Sequence, residues 1–196
     1  MKLHFMSAVA LVIILLTGCN PEEDTADDTV TAGLIDGRWT GLCVDNGDGT
    51  FDKKLNVYSG SSVTTTLGTY DDSSCSTPLV IINAIGSVTF GNAYIAVSGE
   101  TVYDVDFSGL AITATPKDTF TAIQMNNDSY CGYTNWIVDI PQSIIGCDYS
   151  GDGVSDLEST MYDIVELTSN TEISFGGMTV LVADRPTGTS YTLSLQ

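Results

Sequence analysis

Residues 147–158 read CDYSGDGVSDLE, four acids and two glycines behind a cysteine. Calcium takes about six to eight oxygen ligands, supplied by alternating positions of a tight loop. Asp148, Ser150 and Asp152 alternate, and Gly153 stands where the chain must turn sharply. Val154 can offer its carbonyl, and Asp156 occupies the ninth position. Position twelve, where an acid closes the helix–loop–helix calcium site, is Ser159, and Glu158 falls one residue early. The spacing therefore predicts a structural calcium ion on Asp148, Ser150, Asp152, Val154 and Asp156. Its affinity falls in the weak range of extracellular modules, about 10⁻⁴–10⁻³ M. A plain polar turn of Asp, Ser and Gly is the alternative. DNGDGTFD, residues 45–52, is a poorer imitation, because Asn46-Gly47 reads as a hairpin turn.

Other chemistry is narrowed by what is missing. The single histidine is His4. The chain beyond it has no Ser-His-Asp or Cys-His catalysis and no histidine-based zinc site. Cys43, Cys75, Cys131 and Cys147 form an even set. In an exported chain that reads as two disulfides, and order and clustering favour Cys43–Cys75 and Cys131–Cys147 among three pairings. A four-cysteine zinc site is the alternative, although no CxxC knuckle is present. Bridged cysteines leave no thiol nucleophile. Paired carboxylates remain, as in glycoside hydrolysis, with Asp104 and Asp106 or Asp71 and Asp72 as candidates. None sits in a visibly apolar setting that would raise its pKa. The expectation is a protein that is not an enzyme.

The first residues are MKLHFMSAVALVIILLTGCN. Lys2 precedes an apolar run over 5–16, too short to span a bilayer and of secretory-signal length. Leu16-Thr17-Gly18-Cys19 resembles a bacterial lipobox. The resemblance implies a signal peptide over 1–18, cleavage before Cys19, and acylation of that cysteine, which anchors the protein in a membrane. Asn20 at the next position implies the outer membrane. Residues 19–34 are then a lipidated, acidic, flexible tether, since NPEEDTADDTVTAG cannot bury a core.

Residues 35–196 make one domain, expected to bury roughly 70% of its unfolded surface. Twenty-five acids face six bases, a formal charge of −19. Such a surface repels nucleic acid. Thr, Val, Ile, Tyr and Gly dominate, and apolar residues recur with period two. FDKKLNVYSG reads as a strand whose apolar residues are Phe51, Leu55 and Val57. LVIINAIGSVTF, NAYIAVSG, TVYDVDFSG and LAITATP read as separate strands punctuated by glycine. PKDTFTAIQMNND is the best helix candidate, with Pro116 in its first turn and Phe120 and Ile123 three apart. Eight to ten strands with one irregular, disulfide-closed insertion predict an all-β fold: a single antiparallel up-and-down β-barrel, or a β-sandwich.

Gly37-Arg38-Trp39 at the start of the first strand resembles the G-x-W of lipocalins and related calycins. GRW-x3-C, a KKL-type second strand, TYDDSSC, and an SFGG turn followed by RPT are similar to small exported bacterial lipocalin-like lipoproteins. The resemblance implies an eight-stranded barrel with Trp39 packed across its floor and Arg185 stacked on that Trp. It also implies an interior that is either filled or holds one small apolar ligand. Tyr58, Tyr70, Tyr94 and Tyr103 either line such a cavity or face outward as strand formers. The expected function is a lipid-anchored envelope binding or accessory protein, with an adhesive contact to polysaccharide or protein as the alternative.

Overall fold

The computed structural model describes residues 35–96, 99–148 and 158–196. The proposed signal peptide, Cys19 and the acidic tether lie outside them. So do Ser150, Asp152, Val154 and Asp156 of the acidic loop.

The strands are β1 (Gly37–Thr40), β2 (Val44–Asp45), β3 (Phe51–Ser59), β4 (Ser62–Tyr70), β5 (Pro78–Ile95), β6 (Thr101–Pro116), β7 (Gln142–Ser143), β8 (Met161–Ser169), β9 (Glu172–Phe175) and β10 (Tyr191–Leu195). One helix, α1 (Thr119–Asn127), follows β6. β1 hydrogen-bonds β10 on one side and β3 on the other. That double pairing closes β1, β3, β4, β5, β6, β8, β9 and β10 into an antiparallel up-and-down barrel in chain order. Closure removes the exposed edges that an open sheet would present. β2 extends β3, and β7 pairs with β6.

Local chemistry explains the turns. β3 and β4 meet across Ser59 and Ser62, and Gly60 takes φ +55° in the two-residue link. Its N–H donates to the Asp36 carboxylate at 2.8 Å. Glycines that the sequence suggested as strand ends do something else. β5 runs unbroken through Gly86 and Gly91, and β6 through Gly109. The β5–β6 ladder shifts register between Ile85 and Ser87 and again between Phe90 and Ala93. These are bulges that bend two long strands around the barrel. A Cβ at Gly86 would stand 2.7 Å from the Ser108 carbonyl oxygen, so the close approach of β6 requires glycine there.

The helix forms where expected, but differently anchored. Pro116 ends β6, and Asp118 is the N-cap, accepting from the Thr121 N–H at 2.8 Å. Thr121, Ala122 and Met125 are buried, while Phe120 and Ile123 face solvent. The face turned to the core carries small residues and Met, so the apolar pair marks the outer side.

The core is one large cluster, with a small second one formed by Ala96, Val102 and Ile164. Ile35, Trp39, Tyr58, Val63, Phe175 and Leu193 fill the end where β1 begins and β10 ends. Met125, Trp136, Ile144 and Cys147 from the 117–160 insertion join the same cluster. The insertion is tied by Cys131–Cys147, and the β2 segment is tied to the end of β4 by Cys43–Cys75. Asn126 holds the insertion to itself, accepting from the Trp136 N–H at 2.5 Å and donating to its carbonyl at 3.0 Å.

Candidate functional site

Period-two alternation decides which β3 residues face inward. Trp39 pairs with Asn56, and Gly37 with Tyr58, so these share the inner face. Lys54 lies two residues before Asn56 on that face. Leu55 and Val57, the strand's apolar residues by sequence, point to the outer side opposite Thr40 and Arg38. The barrel therefore turns a lysine, an asparagine and a tyrosine into its interior.

Facing strands complete a polar cluster. The Lys54 ammonium donates to the Tyr191 hydroxyl on β10 at 2.5 Å and sits 4.0 Å from the centre of that ring. Asn56 Nδ2 donates to the Tyr58 hydroxyl at 3.0 Å. Tyr58, Phe175 and Tyr191 stack in sequence, with centroids 6.4 and 5.5 Å apart. On β8, Asp163 is fully buried. Its Oδ1 accepts from the N–H groups of Ile164 at 2.8 Å, Gly176 at 3.0 Å and Gly177 at 2.9 Å. The glycine turn after β9 thus wraps a carboxylate. Asp163 Oδ2 and Asn56 Oδ1 have no partner among the described residues.

Burial sets the electrostatics. Desolvation pulls the Lys54 ammonium down to about 8, with the Asp163 carboxylate partly opposing the shift. Desolvation raises Asp163, against the pull of its backbone N–H donors and Lys54. It also raises Tyr58 and Tyr191, whose phenols stay neutral. No carboxylate lies within salt-bridge distance of Lys54 among the described residues; the ion pairs there belong to Lys117 and Arg185.

Above this cluster the barrel is hollow. A cavity of about 200 Å³ is walled by Leu67, Ile82, Phe107, Ile112 and Met161, with Lys54 as its one charged lining residue. A second space of about 370 Å³ shares Lys54 and Leu67 with it and adds Leu42, Val44, Asp52 and Tyr191. The interior is thus filled at one end and hollow at the other, and Lys54 stands at the junction.

Arg185 is not the partner of Trp39. Its guanidinium lies 5.2 Å from the Tyr162 ring, on the outer side of the wall. It donates to the carbonyls of Val105 at 3.1 Å and Asp163 at 2.7 Å, and to the Asp106 carboxylate at 2.5 Å. Asp104 lies 3.4 Å from its Nε. The outward alternation of Asp104 and Asp106 on β6 explains the capture: the only arginine on that loop meets two carboxylates before any ring inside. Trp39 is buried, and its indole N–H donates to the Ile35 carbonyl at 2.7 Å.

The other sequence candidates find structural tasks or fall elsewhere. Asp104 and Asp106 clamp Arg185. Asp72 caps its own turn: Ser74 Oγ and the N–H groups of Ser74, Ser76 and Thr77 all donate to it. The Ser74 hydroxyl, then the Thr77 N–H, hold it well below the usual carboxylate range. Of the four tyrosines, Tyr58 is buried within the barrel, Tyr103 packs on the core, Tyr70 is half-buried at the end of β4, and Tyr94 is exposed. Of the proposed calcium ligands, Asp148 alone is described, and no group of three or more metal-binding side chains occurs among the described residues. Lys54, Asn56, Asp163 and Tyr191 were not singled out by sequence. The available signal was polar residues on an inward period, as in Lys54-x-Asn56-x-Tyr58 and in Met161-x-Asp163-x-Val165.

No protein-family model matches the chain, and no curated protein matches it.

Proposed function

We propose that this chain is a non-catalytic binding protein of the cell envelope, a lipocalin-like barrel that holds a small apolar ligand in its hollow half. The single observation that carries the reading is the apolar cavity of about 200 Å³ inside a closed barrel. A dry cavity of about 150 Å³ takes benzene, so this one suits a ligand somewhat larger than one ring, with room to extend toward the outer space. The walls supply burial worth roughly 0.8 kcal/mol per CH₂. In this reading Cys19 is lipidated, 19–34 is the tether to the outer membrane, and calcium on 148–156 stiffens the insertion; these parts rest on sequence pattern. Native mass spectrometry of the intact protein tests the binding reading. A co-purified or added apolar ligand retained at one per chain is the expected result, and failure of a panel of apolar compounds to bind would remove it.

Adhesive contact with polysaccharide or another protein is the second reading. It is favoured by Phe120, Ile123, Ile137 and Ile140, which the insertion leaves exposed.

A further inference from the structure

We infer that Lys54 is a nucleophile, and that its amine condenses with an aliphatic aldehyde whose chain occupies the apolar cavity, giving an imine and water. This rests on the binding reading above and adds to it a ligand class and a reaction.

Lys54 lines both interior spaces, so a molecule passing from the outer one into the apolar one meets it. Three groups face it. Tyr191 approaches from β10 and makes the close contact, 2.5 Å from hydroxyl to nitrogen. Asp163 faces it from β8, beyond salt-bridge distance, with Oδ1 spent on the N–H groups of Ile164, Gly176 and Gly177. Asp52 lies two residues back on β3 at the outer space and accepts from the Thr69 hydroxyl at 2.8 Å. Burial without a close counter-ion favours the free amine over the ammonium, which is why the group is pulled down to about 8. A free amine in a desolvated pocket is a nucleophile. Its reaction partner must be uncharged to enter the apolar chamber and electrophilic at one end, and an aldehyde meets both conditions. The steps balance without an oxidant or a metal. The nitrogen lone pair forms a C–N bond while the carbonyl π bond opens onto oxygen, and a proton passes from nitrogen to that oxygen. The hydroxyl of the resulting carbinolamine leaves as water with the proton of the Tyr191 phenol, and the nitrogen lone pair closes the C=N bond. The last N–H proton then returns to Tyr191, leaving a neutral imine. The Asp163 carboxylate faces both Lys54 and Tyr191, so its field favours the protonated imine that precedes this return.

Reductive trapping tests this. The intact protein is incubated with octanal and sodium cyanoborohydride at neutral pH, and the alkylated lysines are located by peptide mass mapping. Lys53, on the outer face of the same strand, and Lys117, at the surface beside Asp139, are controls within the same molecule. Lys54 is expected to take up one octyl group roughly tenfold faster than either, since the cavity concentrates the aldehyde beside it. Excess 1-octanol, which shares the chain but has no carbonyl, should slow that labelling and leave Lys53 and Lys117 unaffected. Tyr191→Phe should still bind 1-octanol, by calorimetry, while labelling more slowly. Labelling spread evenly over the lysines, or labelling of Lys54 that 1-octanol does not slow, overturns the inference. If 1-octanol nevertheless binds at one per chain, the binding barrel stands; if neither binding nor selective labelling occurs, both readings fall. The comparison among lysines is made in the wild-type chain, so misfolding of Tyr191→Phe would not blunt it.

Discussion

Lys54 and Asp163 are the two residues whose placement runs against ordinary preference, and both make predictions. With its folded-state pKa near 8 and an unfolded value near 10.5, Lys54 is neutral in the native state over a range where the unfolded chain still binds a proton. A depressed folded pKa means stability that is present above the unfolded value and lost as pH falls toward the folded one. The ligand-free protein should therefore gain about 2 kcal/mol between pH 8 and pH 10. Above pH 10 Tyr58 and Tyr191, both raised, act in the opposite sense, because the unfolded phenols ionise first. Urea unfolding across pH 7 to 11 should show a maximum near pH 10, and Lys54→Met should flatten the rise. Asp163 separates charge from hydrogen bonding. Asp163→Ala removes the shared acceptor of three backbone N–H groups, of which Gly176 keeps the Ile164 carbonyl at 3.3 Å, and should cost about 3 kcal/mol. Asp163→Asn keeps the acceptor and should cost less than half of that. Equal losses in the two variants would mean that the charge, and not the acceptor, holds the turn.

At the scale of elements, the two long strands and the insertion carry the testable content. Removing the Asp118 cap by Asp118→Ala should cost about 1 kcal/mol, read by chemical denaturation, since the Thr121 N–H loses its acceptor. Replacing Cys131 and Cys147 together by Ser frees a loop of sequence separation 16. That should cost about 3 kcal/mol through the unfolded state, measured against the same domain with Cys43–Cys75 intact. If no loss follows, core contacts from Trp136 and Ile144 hold the insertion unaided. Several elements could be read from sequence. The Asn46-Gly47 hairpin, the helix after residue 117 and both cysteine pairings are local or nearly local signals, and all are present. The glycines of β5 and β6 misled because a glycine in a strand can mark either an end or a bulge. Which of the two it marks depends on how closely the neighbouring strand approaches, as Ser108 does at Gly86. Phe120 and Ile123 misled for a related reason: a helix of nine residues with no strong apolar stripe is oriented by what it packs on.

For the whole molecule, calcium is the open prediction. If 148–156 takes the ion, EDTA should lower the melting temperature and millimolar calcium restore it, by differential scanning fluorimetry. Identical melting curves in both conditions would leave the loop as a polar turn. What the sequence determined by itself was composition, patterning and absence. Period-two alternation called for an all-β fold, and histidine confined to position 4 removed whole classes of chemistry. Such properties are local or additive, and a linear reading suffices for them. Tertiary structure alone decided the rest. Closure of β1 onto both β3 and β10 made an inside and an outside. Only then did Lys54, separated from Tyr191 by 137 residues and from Asp163 by more than a hundred, become part of one polar cluster beneath an apolar chamber. The same closure put Arg185 outside, among Asp104, Asp106 and Tyr162, and Trp39 inside. Which face of a strand is buried is set by the register of its neighbours, and register is a property of pairs of distant segments.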